Sequence, residues 1–372
     1  MTRRSPRLIE DFDLLSIERA ISELRAGRPV IVTDGDRAGL VASVDSVSDT
    51  LGRSLFELAE GKAQLILPPI RLQRIGSDRK TAGSIALPRF DLERMTALAM
   101  KSDARIDAPV GPTSVIDRAG LELASIALLL PALIVVPLTE QGFPGEPLQA
   151  VRADAIESYR RLSAAKLTLV SRAPVPLEGA EKTEFVIFRG GEGLRDQVAI
   201  IVGSPDPSQP VPTRLHSACL TGDLFGSLKC DCGDQLRESV RWMAENKGGV
   251  LLYLDQEGRG NGIANKIRAY ALQTQGFDTY DADAALGLGM DQRGFDFAAE
   301  MLRQLGFETI ELLTNNPEKI SAMRRAGIEV SSHRRVFGRF TDDNVHYIAT
   351  KRERAGHLSE AGQKSPLKTQ GE

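Results

Sequence analysis

Apolar residues recur at helical spacing over Ile17, Ala20, Ile21 and Leu24, with Ser16 placed to cap the helix and Gly27 to end it. The period then changes. Pro29-Val-Ile-Val-Thr33 is a continuous apolar run that predicts a buried strand. The same exchange continues through a strand at 64–67, helices at 92–99 and 118–130, and a strand at 132–136. Such alternation predicts an α/β (or α+β) domain of about 150 residues.

A polar, helical stretch at 153–165 leads into a second half that opens with strands at 167–170, 184–188 and 197–202. Pro205-Asp-Pro-Ser-Gln-Pro-Val-Pro212 reads as a proline-rich loop. Strands at 249–254 and 309–313 and helices at 234–247, 263–275, 294–305 and 317–326 complete the pattern. The expectation is a two-domain α/β protein, with domains over 1–165 and 166–358 and a polar, disordered tail at 359–372. No internal repeat is visible.

Composition narrows the function. The chain has 372 residues, a net charge of −3 and a pI near 6.0, which argues against a general nucleic-acid or polybasic membrane partner. A small anionic ligand needs only a local basic pocket. The greasiest stretch, 123–138, is too short to span a bilayer and is broken by Pro131 and Pro137. Met1-Thr-Arg-Arg-Ser-Pro6 leads into acidic residues instead of an apolar run, so a cytoplasmic protein is expected. All three cysteines, all four histidines and the only tryptophan lie beyond residue 213. An odd number of thiols in such a chain points to metal binding or plain packing instead of a disulfide framework.

Cys219, Cys230 and Cys232 have the spacing C-x10-C-x-C. Three thiolates favour zinc and leave a fourth position for water, the pattern of a catalytic site. Buried, reduced cysteines are the alternative, but Arg214, His216, Ser217, Asp223, Lys229, Asp231 and Asp234 make the neighbourhood unusually polar for a core. His216 is open to three readings: a fourth ligand, a substrate contact, or a structural group.

Gln256-Glu-Gly-Arg-Gly-Asn-Gly262 joins a predicted strand to a predicted helix. Its glycines let backbone N–H groups approach an anion, and Arg259 suits phosphate oxygens. Alone it is also an ordinary strand–helix loop. Asp291-Gln-Arg293 is by itself no more than a surface ion pair. In Thr314-Asn-Asn-Pro-Glu-Lys319, the Thr and Asn suit helix capping and Lys319 suits an anion at the helix start. Tyr270 shares a helix face with Lys266.

Together these stretches resemble GTP cyclohydrolase II. The likeness is carried by Arg214-Leu-His-Ser-Ala-Cys-Leu-Thr-Gly-Asp223, Lys229-Cys-Asp-Cys-Gly-Asp-Gln-Leu236, Gln256-Glu-Gly-Arg259, Asn265-Lys-Ile-Arg-Ala-Tyr-Ala-Leu-Gln273 and Leu312-Leu-Thr-Asn-Asn-Pro317. The resemblance implies that GTP loses C8 of guanine as formate and is cut to release diphosphate. It implies zinc on Cys219, Cys230 and Cys232, magnesium with the triphosphate, and a homodimer. GTP would meet Arg214, Leu215, His216, Ser217, Ala218, Gln235, Glu257, Gly258, Arg259, Thr279, Thr314 and Lys319. Asp291 would accept a proton and Tyr270 would assist. The family gives the position of Arg293 a nucleophile's role toward the α-phosphate; a clamp on developing charge is the physical default for a guanidinium. Two departures, Asn261 and Pro212-Thr213, remove no reactive group.

The N-terminal half resembles dihydroxybutanone phosphate synthase through Ile21-Ser-Glu-Leu-Arg-Ala-Gly-Arg-Pro-Val-Ile-Val-Thr-Asp34 and Asp117-Arg-Ala-Gly-Leu-Glu-Leu-Ala124. Where that family's acidic run is expected, Asp36-Arg37 is followed by Ala38, Gly39, Leu40, Val41 and Ala42, and this half contains no histidine. A catalytically dead relative is expected. Two alternatives to a riboflavin-pathway enzyme are a paralogue in another pathway, such as pyrimidine catabolism, and a GTP-binding regulator without turnover.

Overall fold

A computed structural model of the chain describes residues 11–138, 147–191, 195–289, 293–336 and 338. The expected tail at 359–372 lies outside them. The described residues fall into two compact units, one of 11–138, 147–163 and 260–289, the other of 164–191, 195–259, 293–336 and 338. The sequence alone suggests a single boundary near 165. The contacts divide at 163/164 and also assign the segment after Arg259 to the first unit.

In the first unit, α1 (Phe12–Arg25) starts one turn earlier than expected because Asp11, not Ser16, accepts the N–H of Leu14. Ser16 sits inside the helix, its hydroxyl donating to Asp13 O at 2.8 Å. Gly27 follows at φ +77°, where a Cβ would meet Ser46 O at 2.5 Å. The chain continues through β1 (Val30–Asp34), β2 (Arg37–Ser43), α2 (Asp49–Ala59), β3 (Gln64–Leu67), α3 (Pro69–Arg74), β4 (Gly83–Ala86) and α4 (Leu92–Met100). It goes on through β5 (Val110–Gly111), α5 (Val115–Ile126), β6 (Leu133–Leu138), β7 (Ala150–Arg152) and α6 (Ala153–Ala165). The sheet order is β5-β4-β3-β6-β2-β1-β7, with β1–β7 parallel and the other pairs antiparallel. Strand alternation splits the core: Leu40, Ala42, Ile134 and Val136 face one cluster, and Val41, Leu133 and Val135 face the other. Ser114 starts α5 with a capping box closed by Asp117.

The second unit contains β8 (Thr168–Pro174), β9 (Thr183–Arg189), β10 (Gln197–Val202), β11 (Val211–Ser217), α7 (Leu220–Asp223), α8 (Cys232–Glu245) and β12 (Gly249–Leu254). The helices α9 (Ile263–Gln273) and α10 (Thr279–Ala285) belong to the first unit. The second unit resumes with α11 (Asp296–Gln304), β13 (Thr309–Leu313), α12 (Pro317–Arg325) and β14 (Glu329–Arg334). Its sheet runs β14-β13-β11-β12-β10-β9-β8. The neighbours from β14 to β12 are parallel, and β12-β10-β9-β8 are antiparallel. The fold is thus mixed α/β in both units. Among the described residues, no helix is long and apolar enough to cross a membrane.

Candidate active site and metal centre

Three parallel strands, β11, β12 and β13, point their carboxyl ends to one edge of the sheet, with Ser217 in register with Leu254 and Thr213 with Leu312. Ligands in open α/β sheets gather outside such carboxyl ends. Here the chain supplies polar groups just there: His216 and Ser217 close β11, Gln256 and Glu257 follow β12, and Thr314 follows β13.

Cys219 stands immediately before α7, and Cys232 is the first residue of α8 with Cys230 just ahead of it. The two short connections bring the sulfurs together. Their Sγ atoms all lie within 4.8 Å of one another, and Cys219 and Cys230 are 3.6 Å apart. Gly222 makes the triangle possible, since a Cβ there would meet Cys230 Sγ at 2.6 Å and Cys219 Sγ at 3.0 Å. The contact with Cys219 pushes the Cys230 thiol up to about 11. Neighbouring sulfurs resist carrying charge together unless a cation neutralises them, which is the service a zinc ion performs. The donor set, its burial and its compactness fit zinc.

Beside the thiols, Asp223 gathers donors. Its carboxylate accepts the N–H of Cys219 at 2.9 Å and the phenol of Tyr253 at 3.1 Å, and lies 3.1 Å from His216 Nε2. The His216 ring stacks on Tyr253 with centroids 5.6 Å apart. Burial outweighs the Asp223 carboxylate and lowers the His216 pKa. Its Nδ1 is buried with no hydrogen-bond partner among the described residues.

Cations line the same edge. Arg214 donates from Nη1 to Leu313 O at 2.9 Å and from Nη2 to Gln235 Oε1 at 2.6 Å, while its buried Nε has no partner among the described residues. Burial lowers its pKa to about 10, so it remains charged at neutral pH. Lys319, also buried, donates from Nζ to Leu215 O at 2.6 Å. Arg293 reaches Ser217 Oγ at 3.3 Å and lies over the Phe295 ring. Glu257 accepts the Leu220 N–H, tying the loop after β12 to α7. Gly258 and Arg259 both take left-handed backbone angles, at φ 62° and 61°. That conformation costs a non-glycine residue energy and marks Arg259 as a held position.

The structure therefore brings Arg214, Leu215, His216, Ser217, Ala218, Cys219, Cys230, Cys232, Gln235, Glu257, Gly258, Arg259, Arg293, Thr314 and Lys319 into one unit. Tyr270 and Thr279 belong to the other unit, and Asp291 lies outside the described residues. Of the Thr and Asn residues suited to capping, an asparagine takes the role. Asn316 caps α12, and Thr314 Oγ1 accepts the Asn316 N–H at 3.0 Å. Tyr253 belongs to no motif in the sequence, and Gln256 enters there only as the start of the Gln256–Gly262 loop, not as a site residue. Tyr253 left one signal, as the only polar side chain in the otherwise aliphatic strand Gly249–Leu254.

The model of the GTP cyclohydrolase II family matches residues 168–335. GTP cyclohydrolase-2 of Xylella fastidiosa strain Temecula1 is 45% identical over 344 residues, which cover 91% of this chain and 86% of that one. The chain belongs to the GTP cyclohydrolase II family. A second family member, GTP cyclohydrolase-2 of Azospirillum brasilense, is 40% identical over 94% of this chain and 95% of its own length. The riboflavin biosynthesis protein RibBA of Staphylococcus saprophyticus is 31% identical over 92% of this chain and 85% of its own length. Family membership thus extends to relatives that align with both units, not only the one bearing the cysteines.

Proposed function

We propose that the chain hydrolyses GTP at two places. The imidazole ring of guanine would be opened and C8 released as formate. The link between the α- and β-phosphates would be cut to release diphosphate, leaving 2,5-diamino-6-(5-phosphoribosylamino)pyrimidin-4-one. The observation that carries this reading is the compact cysteine triangle beside two buried cations, Arg214 and Lys319, at one strand edge. The buried Nε of Arg214 and Nδ1 of His216, lacking partners among the described residues, support a polar ligand there.

Cys219, Cys230 and Cys232 would hold zinc, whose Lewis acidity makes water nucleophilic at neutral pH. Asp223 fixes the Cys219 backbone and orients His216, which at neutral pH is uncharged, donates from Nε2 to Asp223 and would accept a hydrogen bond from the purine at Nδ1. Arg259 and Lys319 would bind phosphate oxygens, with magnesium on the triphosphate. Arg293 would hold the α-phosphate and its developing charge, where positioned donors contribute most. Asp291 would accept the proton of an attacking water. Gln235, Glu257, Thr314 and the Arg214–Ala218 strand end would orient the base and ribose, and Tyr270 and Thr279 would complete the contacts.

The N-terminal half is a synthase-like domain that has lost its chemistry. The positions where carboxylates would stand are Ala38 to Ala42 of β2, which is buried over most of its length. In this reading the enzyme acts in the cytoplasm as a homodimer and supplies riboflavin synthesis, as the RibBA relative supports.

The test is to incubate zinc-loaded protein with GTP and magnesium and to assay formate, diphosphate and the diaminopyrimidine, with Cys230→Ser as control. All three products, lost in the variant, support the reading. GTP binding without turnover would make the protein a regulator. Riboflavin auxotrophy on deletion of the gene would separate the riboflavin pathway from another use of the same reaction.

A further inference from the structure

Arg71, on α3 of the N-terminal half, is 1% exposed and has no carboxylate partner among the described residues. Its guanidinium is spent on backbone carbonyls. Nε donates to Leu98 O at 2.7 Å, and Nη2 to Ala97 O and Lys101 O at 3.0 and 2.7 Å. Nη1 donates to Ala285 O at the end of α10. One cation thus closes the carboxyl ends of two helices, α4 and α10, where the dipole favours positive charge. Burial lowers its pKa to about 10, which leaves it charged at neutral pH.

Other ties hold the same segment. Arg268 on α9 pairs through both terminal nitrogens with Asp45, which also accepts the Leu130 N–H at 3.2 Å. Asn265, wholly buried, donates to Leu128 O at 3.4 Å. Ala269, Leu272, Ala282, Ala285, Leu286 and Leu288 belong to the same apolar cluster as Leu72, Leu98 and Ile134. Gly287, at φ +74°, lets the chain pass where a Cβ would lie 2.9 Å from Pro68 and 3.0 Å from Arg71. Nothing in the reaction proposed above uses Arg71, Asp45 or Arg268.

We infer that the N-terminal half serves the reaction as the positioning device for α9 and α10, with Arg71 as its chief positioning residue. The inference rests on the reading above that Tyr270 of α9 and Thr279 of α10 meet GTP. A domain without chemistry of its own then has a function: it fixes a substrate-contacting segment by packing and by one arginine fork.

The test compares full-length, zinc-loaded Arg71→Met and Arg71→Lys with the parent. Methionine keeps length and volume but removes every donor, and lysine keeps the charge but not the fork. In Arg71→Met, amide exchange over 263–285 should accelerate ~10-fold or more. The KM for GTP should rise ~10-fold while kcat stays within ~3-fold, because substrate-binding contacts are loosened. Zinc content should stay unchanged, and Arg71→Lys should fall between the two. A merely structural arginine would instead lower activity in proportion to the folded fraction with KM unchanged, and that result overturns the inference. So does unaltered exchange over 263–285. Should Arg71→Met fail to fold, Asp45→Asn, which weakens the tie to α9, must shift exchange and KM in the same direction. If the parent itself releases no formate, the cyclohydrolase reading falls. Protection of 263–285 by bound GTP, lost in the variants, then decides the positioning role separately.

Discussion

Asp223 carries more of the site than its place as one of several polar neighbours of the cysteines suggests, because one carboxylate holds the Cys219 backbone, the Tyr253 phenol and the His216 ring. Asp223→Asn keeps the shape but replaces an acceptor pair with one acceptor and one donor. Groups that orient metal ligands typically matter by 10–100-fold. Zinc affinity, measured by competition with a chromogenic chelator, should fall by about that factor, and formate release should fall with it. Unchanged affinity would mean that the three thiols need no outside orientation. Gly222→Ala tests the triangle from the other side. Its methyl would lie 2.6 Å from Cys230 Sγ, inside any tolerable contact. Purified Gly222→Ala should contain less than about half the zinc of the parent, with helical content retained, because the clash is confined to the thiols.

At the scale of elements, caps decide where helices begin. Asn316 accepts the Glu318 N–H at 2.9 Å and so starts α12, which carries Lys319. Asn316→Ala should cost about 1 kcal/mol of stability, read as a lower urea midpoint at constant slope. The same scale shows what the sequence disclosed. Strands with aliphatic runs, such as β1, β6, β10 and β12, were legible, as were α8, α9, α11 and α12. β11 was not. Val-Pro-Thr-Arg-Leu-His-Ser shows no alternation, yet all but its last residue are buried, because a central strand ending at a site must bury polar side chains. β14, Glu-Val-Ser-Ser-His-Arg, has one apolar residue and pairs only at the sheet edge. β2 announces itself in the sequence only by its missing carboxylates, although Leu40-Val-Ala42 is a short buried run. Site residues were legible where their types are rare or charged, as with the cysteines, Arg214 and Lys319. Tyr253 escaped because an aromatic in a strand is ordinarily core.

At the scale of the whole molecule, the sequence places α9 and α10 between two strands of the cysteine-bearing unit, yet they pack in the other one. Their apolar positions show that they are buried but not against which partner, which is why periodicity alone could not locate them. Packing and metal binding therefore predict different local stabilities. Zinc stabilises the fold that presents its ligands, by an amount that grows with the ratio of free metal to Kd. Removing it should loosen residues joined to the thiols, chiefly α7 and α8. The segment of α9 and α10 has no ligand and shares the apolar cluster built on Leu72, Leu98 and Ile134. Hydrogen exchange on the full-length protein, with and without a zinc chelator, separates the two. Exchange over 220–245 should rise at least ~10-fold on chelation, and exchange over 263–285 should stay within ~2-fold. A parallel rise in both would show a single cooperative body in which the metal governs the first unit as well. Release confined to 220–245 would show that the thread through the first unit keeps its order from the N-terminal half alone.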